Sequence, residues 1–263
     1  MIVDFHAHVY PEKVADKALT GISKFYMIPL HRDSKGTADN LRSLGLNAGI
    51  DKFVIHSVAQ VPSQVININD FIARTVNTYP DHFIGFGTLH PGFDNCPEEI
   101  QRLKNLGLRG VKIHPDVQQF AIDDVRMLDI YARLEGNIPV LIHTGDYRYD
   151  YSHPKRLARV LDMFPDLVVI AAHFGGWSIW DLALEYLEHR FCYLDISSSI
   201  MFLGNRRATE LIRVYGAERI LFGSDYPMWS PGDELERFNT LDLTDDEKDM
   251  ILSRNALRIL ENG

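Results

Sequence analysis

Cysteine is scarce in this chain: Cys96 and Cys192 are the only two among 263 residues. They build no framework of bridges and no Cys-x-x-Cys pair, so a reducing compartment is expected. Basic excess is missing too. A formal net charge of −9 argues against a nucleic-acid groove and against an anionic membrane surface. No apolar run is long enough to span a bilayer, and the N-terminus lacks a basic region followed by an apolar core. These absences predict a soluble, cytoplasmic protein. No Gly-x-Gly-x-x-Gly follows the first apolar run, which removes the dinucleotide-binding fingerprint.

What is present is regular. With 46% hydrophobic and 24% charged residues the composition is that of an ordinary globular chain. Short apolar runs alternate with helical patterns from end to end. Strands are expected at 2–6, 52–58, 82–89, 110–114, 139–143, 167–173, 192–196 and 219–222. Helices are expected at 37–49, 64–78, 97–106, 123–135, 154–164, 179–189 and 206–215, with a last one starting at Thr244. There, Thr244-Asp245-Asp246-Glu247 has the capping-box pattern. The stretch 9–36 is polar and aromatic, broken by Pro11, Pro29 and Gly36. Its Phe25-Tyr26-Met27-Ile28-Pro29 piece reads as a lid or as a helix end packed on a rim. Continuous runs such as Val140-Leu141-Ile142 suit a parallel sheet covered on both faces. Eight strand–helix units in this length predict one (β/α)8 TIM barrel over residues 1–263, ahead of an open doubly wound sheet.

A barrel gathers the C-terminal ends of its strands into one mouth. Taken in turn, those ends carry His6 and His8, His56, His90, Lys112 and His114, His143, His173, Asp195 and Asp225. Only a few of the 11 histidines lie elsewhere. On a regular strand His6 and His8 share a face, with Cα atoms roughly 6.6 Å apart, and Asp4 shares it one step deeper. That spacing lets two imidazoles bind one ion. A His-x-His pair alone reads as well as two solvent-facing histidines; the other strand ends decide in favour of a metal.

The motifs Asp4-Phe5-His6-Ala7-His8, His143-Thr144-Gly145, Ala172-His173-Phe174-Gly175-Gly176 and Gly223-Ser224-Asp225-Tyr226-Pro227 resemble the amidohydrolase superfamily. More narrowly they resemble its amidohydrolase-related branch, which includes aminocarboxymuconate-semialdehyde decarboxylase and related hydrolases. The late Asn255-Ala256, with Leu257 and Ile259, is similar to that branch's final helix. The resemblance implies a distorted (β/α)8 barrel holding one divalent metal ion, most often Zn2+, with Mn2+ as the other choice. By position, His6, His8, His143 and Asp225 match its metal ligands. Asp225 also matches the proton-handling carboxylate, and His173 matches the strand-six histidine that bonds the metal's water. Three neutral imidazoles and one carboxylate leave a dication with net charge, so a water in its open position ionises near neutral pH.

Around this set the sequence leaves alternatives open. Lys112 matches the place where other branches carry a carboxylated, metal-bridging lysine; a hydrogen bond inside the barrel, or a substrate contact shared with His114, is preferred. His56 and His90 read as structural or rim residues, and Asp195 as an inner hydrogen-bond partner. Tyr147, Arg148, Tyr149 and His153, and His31 and Arg32, lie in loops from which a substrate carboxylate can be gripped. Arg148 and Tyr147 lead that group, although a charged or polar side chain simply facing solvent is the default reading for each. The expected substrate is a small, anionic molecule, with no nucleic acid or membrane involved; a homodimer is compatible. The leading function is hydrolysis of a lactone, ester or amide by metal-activated water. The alternative is non-oxidative decarboxylation of a small aromatic or unsaturated acid. A non-catalytic, metal-stabilised ligand-binding barrel is the third reading. The short chain, with little loop to build an aromatic pocket, favours hydrolysis.

Overall fold

A computed structural model describes residues 1–261 and bears out the barrel. Its strands are β1 (Val3–His8), β2 (Lys52–His56), β3 (Phe83–Thr88), β4 (Gly110–Ile113), β5 (Val140–Ile142), β6 (Val169–Ala171), β7 (Tyr193–Asp195) and β8 (Ile220–Leu221). They pair in sequence order, all parallel. Closure runs through the segment after β8. Phe5 N donates to Phe222 O (2.8 Å), Asp225 N to His6 O (2.8 Å) and His8 N to Tyr226 O (2.7 Å). Among the described residues no helix is long and apolar enough to cross a membrane.

The helices depart from expectation in four places, one of them the short helix Pro115–Gln118. Residues 9–36 hold a full helix, α1 (Glu12–Tyr26), ended by Met27 in the left-handed conformation. The helix α2 (Ala38–Asn47) follows, and α3 (Val65–Thr78), α4 (Cys96–Asn105), the short α5 (Pro115–Gln118), α6 (Val125–Leu134), α7 (Pro154–Met163) and α8 (Trp180–Leu187) alternate with the strands. The next, α9 (Ile200–Tyr215), starts six residues earlier than expected and breaks at Gly204, whose φ of 72° only glycine adopts readily. An unexpected α10 (Pro231–Asn239) fills the connection to the C-terminal helices α11 (Asp245–Asp249) and α12 (Asn255–Glu261). The Thr244–Glu247 capping box forms as expected, with both reciprocal bonds present.

Inside the barrel two layers stack. The lower one is apolar: Val3, Phe5, Val54, Phe86, Leu141, Ile170 and Leu221 meet there, joined by Ala256 and Ile259 of α12. Gly110, on β4, leaves space for the Phe86 ring, since a Cβ there would lie 2.4 Å from it. The upper layer is polar, and one irregularity builds it. The pairing of β1 with β2 slips between Asp4 and Ala7, so three steps on β1 match two on β2. A bulge of this kind re-aims the side chains that follow it. Phe5 therefore points into the apolar layer while His6 and His8 also reach the interior. Asp4 does not share their face as expected: its carboxylate turns to the loop after β8, accepting from Ser224 N (2.9 Å) and Ser224 Oγ (2.6 Å). Gly223 admits His6, because a Cβ there would sit 2.8 Å from the His6 Cβ.

The last helix is pinned by buried Asn255, which donates from Nδ2 to Ala217 O (2.7 Å) and Ile220 O (2.8 Å). Both carbonyls flank β8, the shortest strand. Asn255→Ala leaves them without donors in a dry site, so it is expected to cost about 1–3 kcal/mol. Urea unfolding reads this as a lower midpoint at unchanged slope; an unchanged midpoint would show that water replaces the amide.

Candidate functional site

The strand-end residues converge as the alternation implies. His6 Nε2 lies 3.3 Å from His8 Nε2. Asp225 Oδ1 completes the triangle, 3.5 Å from His6 Nε2 and 3.6 Å from His8 Nε2. An ion with bonds of about 2.1 Å sets its tetrahedral ligand atoms about 3.4 Å apart. The triangle has that edge length. His143 does not join it directly. Its Nδ1 lies 3.1 Å from His173 Nε2, and the two rings stand next to the triangle.

Hydrogen bonds on the outer side of two rings, His6 and His173, fix which nitrogen faces inward. His6 Nδ1 donates to Asp195 Oδ2 (2.9 Å). His173 Nδ1 donates to Ser197 O (3.0 Å), a carbonyl that can only accept. His143 Nε2 faces Asp116 Oδ2 across 3.7 Å. The inward nitrogens of His6 and His173 are then lone pairs; Lys112 Nζ lies 3.0 Å from the first and His143 Nδ1 3.1 Å from the second. Neutral imidazole nitrogens that converge beside a carboxylate are the donor set of a metal site. Groups of His6, His8 and His56, and of His6, His173 and Asp195, also bring their donor atoms within 4.8 Å of one another.

Burial sets the charge state. It holds His6, His8, His56, His114 and His143 well below the usual imidazole range, and Lys112 adds to this. The same cause lowers His173 to about 4. Neutral imidazoles are the form that binds metal. Burial pushes the Asp225 carboxyl up and the Lys112 amine down, while the attraction between the two works against both shifts. Lys112 is wholly buried with its Nζ 3.0 Å from His6 Nε2, so it sits beside the triangle.

Asp225 (φ 55°), His173 (φ 60°) and Ser198 (φ 51°) all have left-handed backbones. Non-glycine residues cost on the order of 1 kcal/mol or more there, and such outliers cluster at working sites. Above the polar layer lies a small pocket. Tyr26, Ile28, Trp177, Met228 and Trp229 form its walls; His143, His173, Ser198 and Asp225 form its floor.

Other expected contributors are placed differently. The guanidinium of Arg148 forks onto Asp146, with Nε–Oδ1 2.9 Å and Nη2–Oδ2 2.6 Å, and Nη1 donates to Phe25 O (2.5 Å). It is built into the rim and does not line the pocket. Tyr147 is 70% exposed. His114 stacks on His143 at 3.8 Å and bonds Tyr26 Oη. His31 reaches Asp233 at 3.5 Å, His153 caps α7, and Arg32 faces solvent. His90 sits on the rim against Phe120. Asp195 is the inner hydrogen-bond partner that was expected, accepting from His6, from His173 N (3.2 Å) and from Ser197 N (3.0 Å).

Two residues were underrated. His56 is fully buried with neither ring nitrogen bonded, its ring 4.3 Å from that of His8. Its place at a strand end was the available signal. Tyr26 had a weaker one, the aromatic pair Phe25-Tyr26 before Pro29.

The match to a family model described as Amidohydrolase covers residues 3–261. The 2-amino-3-carboxymuconate-6-semialdehyde decarboxylase of Dictyostelium discoideum is 25% identical over 240 residues, 73% of this chain. The chain spans 65% of that relative's length. Among solved structures, an uncharacterised TIM-barrel protein from Bordetella bronchiseptica aligns with a TM-score of 0.80 and 24% identity, over 99% of this chain and 98% of that one. A dihydroxybenzoic acid decarboxylase from Polaromonas, solved with manganese and 2-nitroresorcinol, aligns with a TM-score of 0.76 and 17% identity, over 99% and 96%.

Asp195→Asn tests the geometry. An amide nitrogen opposite His6 Nδ1 forces the His6 proton onto Nε2, where it points into the triangle. Affinity for a divalent ion is expected to fall about 10–100-fold with the fold retained. Competition against a chelator measures it; unchanged affinity would remove His6 from the ligand set.

Proposed function

The chain belongs to the amidohydrolase family, and we propose that within it the protein is a metal-dependent decarboxylase of small aromatic or unsaturated carboxylic acids. The observation that carries this reading is the set of aromatic side chains, Tyr26, Trp177 and Trp229, beside Asp225 and His173; the cavity among them is about 10 Å³, so an acid of this class would enter as these side chains move apart. The decarboxylases among its relatives support the same choice. Hydrolysis of a lactone, ester or amide uses the same floor.

His6, His8 and Asp225, with His143 as the fourth, would hold one divalent ion. Bound there, it would neutralise the substrate carboxylate and draw electron density from the neighbouring carbon. The flat walls hold the acid's plane, and the walls and floor keep bulk water from the reacting carbon. The bond between that carbon and the carboxylate breaks, its electron pair stays on the carbon, and carbon dioxide leaves. Asp225 or His173 gives the carbon one proton, so an acid anion and a proton become a neutral product and carbon dioxide. Ser198 Oγ, donating to Asp225 Oδ2 at 2.5 Å, fixes the carboxyl's orientation. Trp229 Nε1 holds that serine in turn at 2.8 Å. His173, locked by Ser197, stands ready beside the same face.

Protein loaded separately with manganese and with zinc, and mixed with hydroxybenzoates, unsaturated acids, lactones and esters, tests the reading. Carbon dioxide release, with one deuterium on the product carbon in heavy water, is the expected result. Turnover of lactones or esters alone would overturn it in favour of hydrolysis. Metal uptake without turnover of any class would favour a ligand-binding barrel.

Asp225→Asn should remove turnover while weakening metal binding far less. The amide oxygen still serves as a ligand, but the group carries no acidic proton. Full activity in this variant would move the proton to His173.

A single ion, with Lys112 unmodified, is the expected state. Anomalous scattering should give one peak. Two peaks about 3.5–4 Å apart, with added density on Lys112 Nζ, would overturn it.

A further inference from the structure

We propose that His56 is a further ligand of the divalent ion, reaching it from β2 beside His6, His8 and Asp225. The inference rests on the metal-site reading above and adds to it a residue outside the motifs that carry the family resemblance.

The register of β1 brings His56 into place. Asp4 pairs with Phe53, and the same offset carried along the strand would set His8 opposite Ser57. The slip between Asp4 and Ala7 moves His8 back by one residue, directly opposite His56. Residues in register on adjacent parallel strands project to the same side of the sheet. The ladder continues past this point, with Val9 N donating to His56 O (3.0 Å), so the end of β2 is held. The His56 imidazole therefore stands over the same space as those of β1.

The spacing of the rings is that of a shared ion. With bonds of about 2.1 Å and angles of about 90–110°, two imidazoles on one ion have their ring centres about 4.5–5.2 Å apart. The centres of His6 and His8 are 5.3 Å apart, those of His6 and His56 5.0 Å, and those of His8 and His56 4.3 Å. One ligand nitrogen from each of the three lies within 4.8 Å of the other two.

The ring is also unpartnered. His56 is fully buried, and neither of its nitrogens meets a hydrogen-bond partner. A neutral imidazole carries one N–H and one lone pair, and buried polar groups are ordinarily paired. For packing alone an apolar side chain of similar size would serve better, since it leaves no polar atom bare. A cation among the three rings uses the lone pair as it stands.

A crystal structure of the zinc-loaded wild type is expected to place the ion about 2.1 Å from a His56 ring nitrogen. His56→Ala is expected to lower zinc affinity, read by competition against a chelator, by about 100-fold or more. It is also expected to change the visible absorption of the cobalt-loaded protein. Added imidazole, filling the space left, is expected to restore both. An ion seated on His6, His8 and Asp225 with His56 out of bonding range would overturn the inference alone. So would a His56→Ala protein with unchanged zinc affinity and cobalt spectrum, or with a loss that imidazole does not restore. If the variant does not fold, the wild-type crystal decides. Wild type that takes up no ion would overturn the metal-site reading and this inference with it.

Discussion

The bond between His6 Nδ1 and Asp195 Oδ2 is the contact on which the mouth of the barrel depends. It joins β1 to β7, two strands away round the closed barrel, and both side chains are fully buried. A buried carboxylate needs every acceptor position filled. Asp195 achieves that with one ring nitrogen, two backbone amides and the Ser197 hydroxyl. The same four bonds fix the His6 tautomer, the start of the turn at His173 and the path of the loop after β7. Three strand ends are thereby oriented by one side chain. The left-handed backbone at His173 is sustained by this surrounding structure, since the turn it starts is anchored through its own amide.

With those outer bonds made, the inner faces are left with acceptors. Apolar layers below and aromatic walls above keep water from solvating them. Burial acts on every group in the same sense, toward neutrality: imidazoles and the Lys112 amine shift down, the Asp225 carboxyl shifts up. A divalent cation reverses the sense for the carboxylate and uses the neutral imidazoles as they stand.

Much of this was legible in the sequence because it depends on period and position. Eight apolar runs ending in His, Lys or Asp specify both a parallel barrel and the rim that bears its polar groups. The register slip in β1 was not legible. Asp4, His6 and His8 obey period two on paper, and only pairing with β2 shows Asp4 turning away to Ser224. The helix α1 was hidden by Pro11 and Pro29, which in fact bound it, and by a lysine-rich outer face. The helix α10 had readable signals in Pro231 at its first turn followed by Asp233 and Glu234. Arg148 is a candidate substrate grip in the sequence, with surface charge as its default reading, because a loop arginine carries no sign of its partner; in the structure Asp146, two residues earlier, holds it in a two-point fork.

With no guanidinium or ammonium among the residues that line the pocket, an anionic acid of the proposed kind would find its counter-charge only in an ion held by His6, His8 and Asp225. On that reading its carboxylate would point toward the triangle, with the ring beside Trp177, Trp229 and Tyr26. An arginine on the wall would hold the carboxylate away from the reacting centre and stabilise it as an anion, which opposes its loss as neutral carbon dioxide. Aromatic walls instead favour the state in which charge has left the carboxylate and spread into a planar ring. The two aspects of the pocket, apolar sides and a single charged floor, therefore act in the same direction on the chemistry.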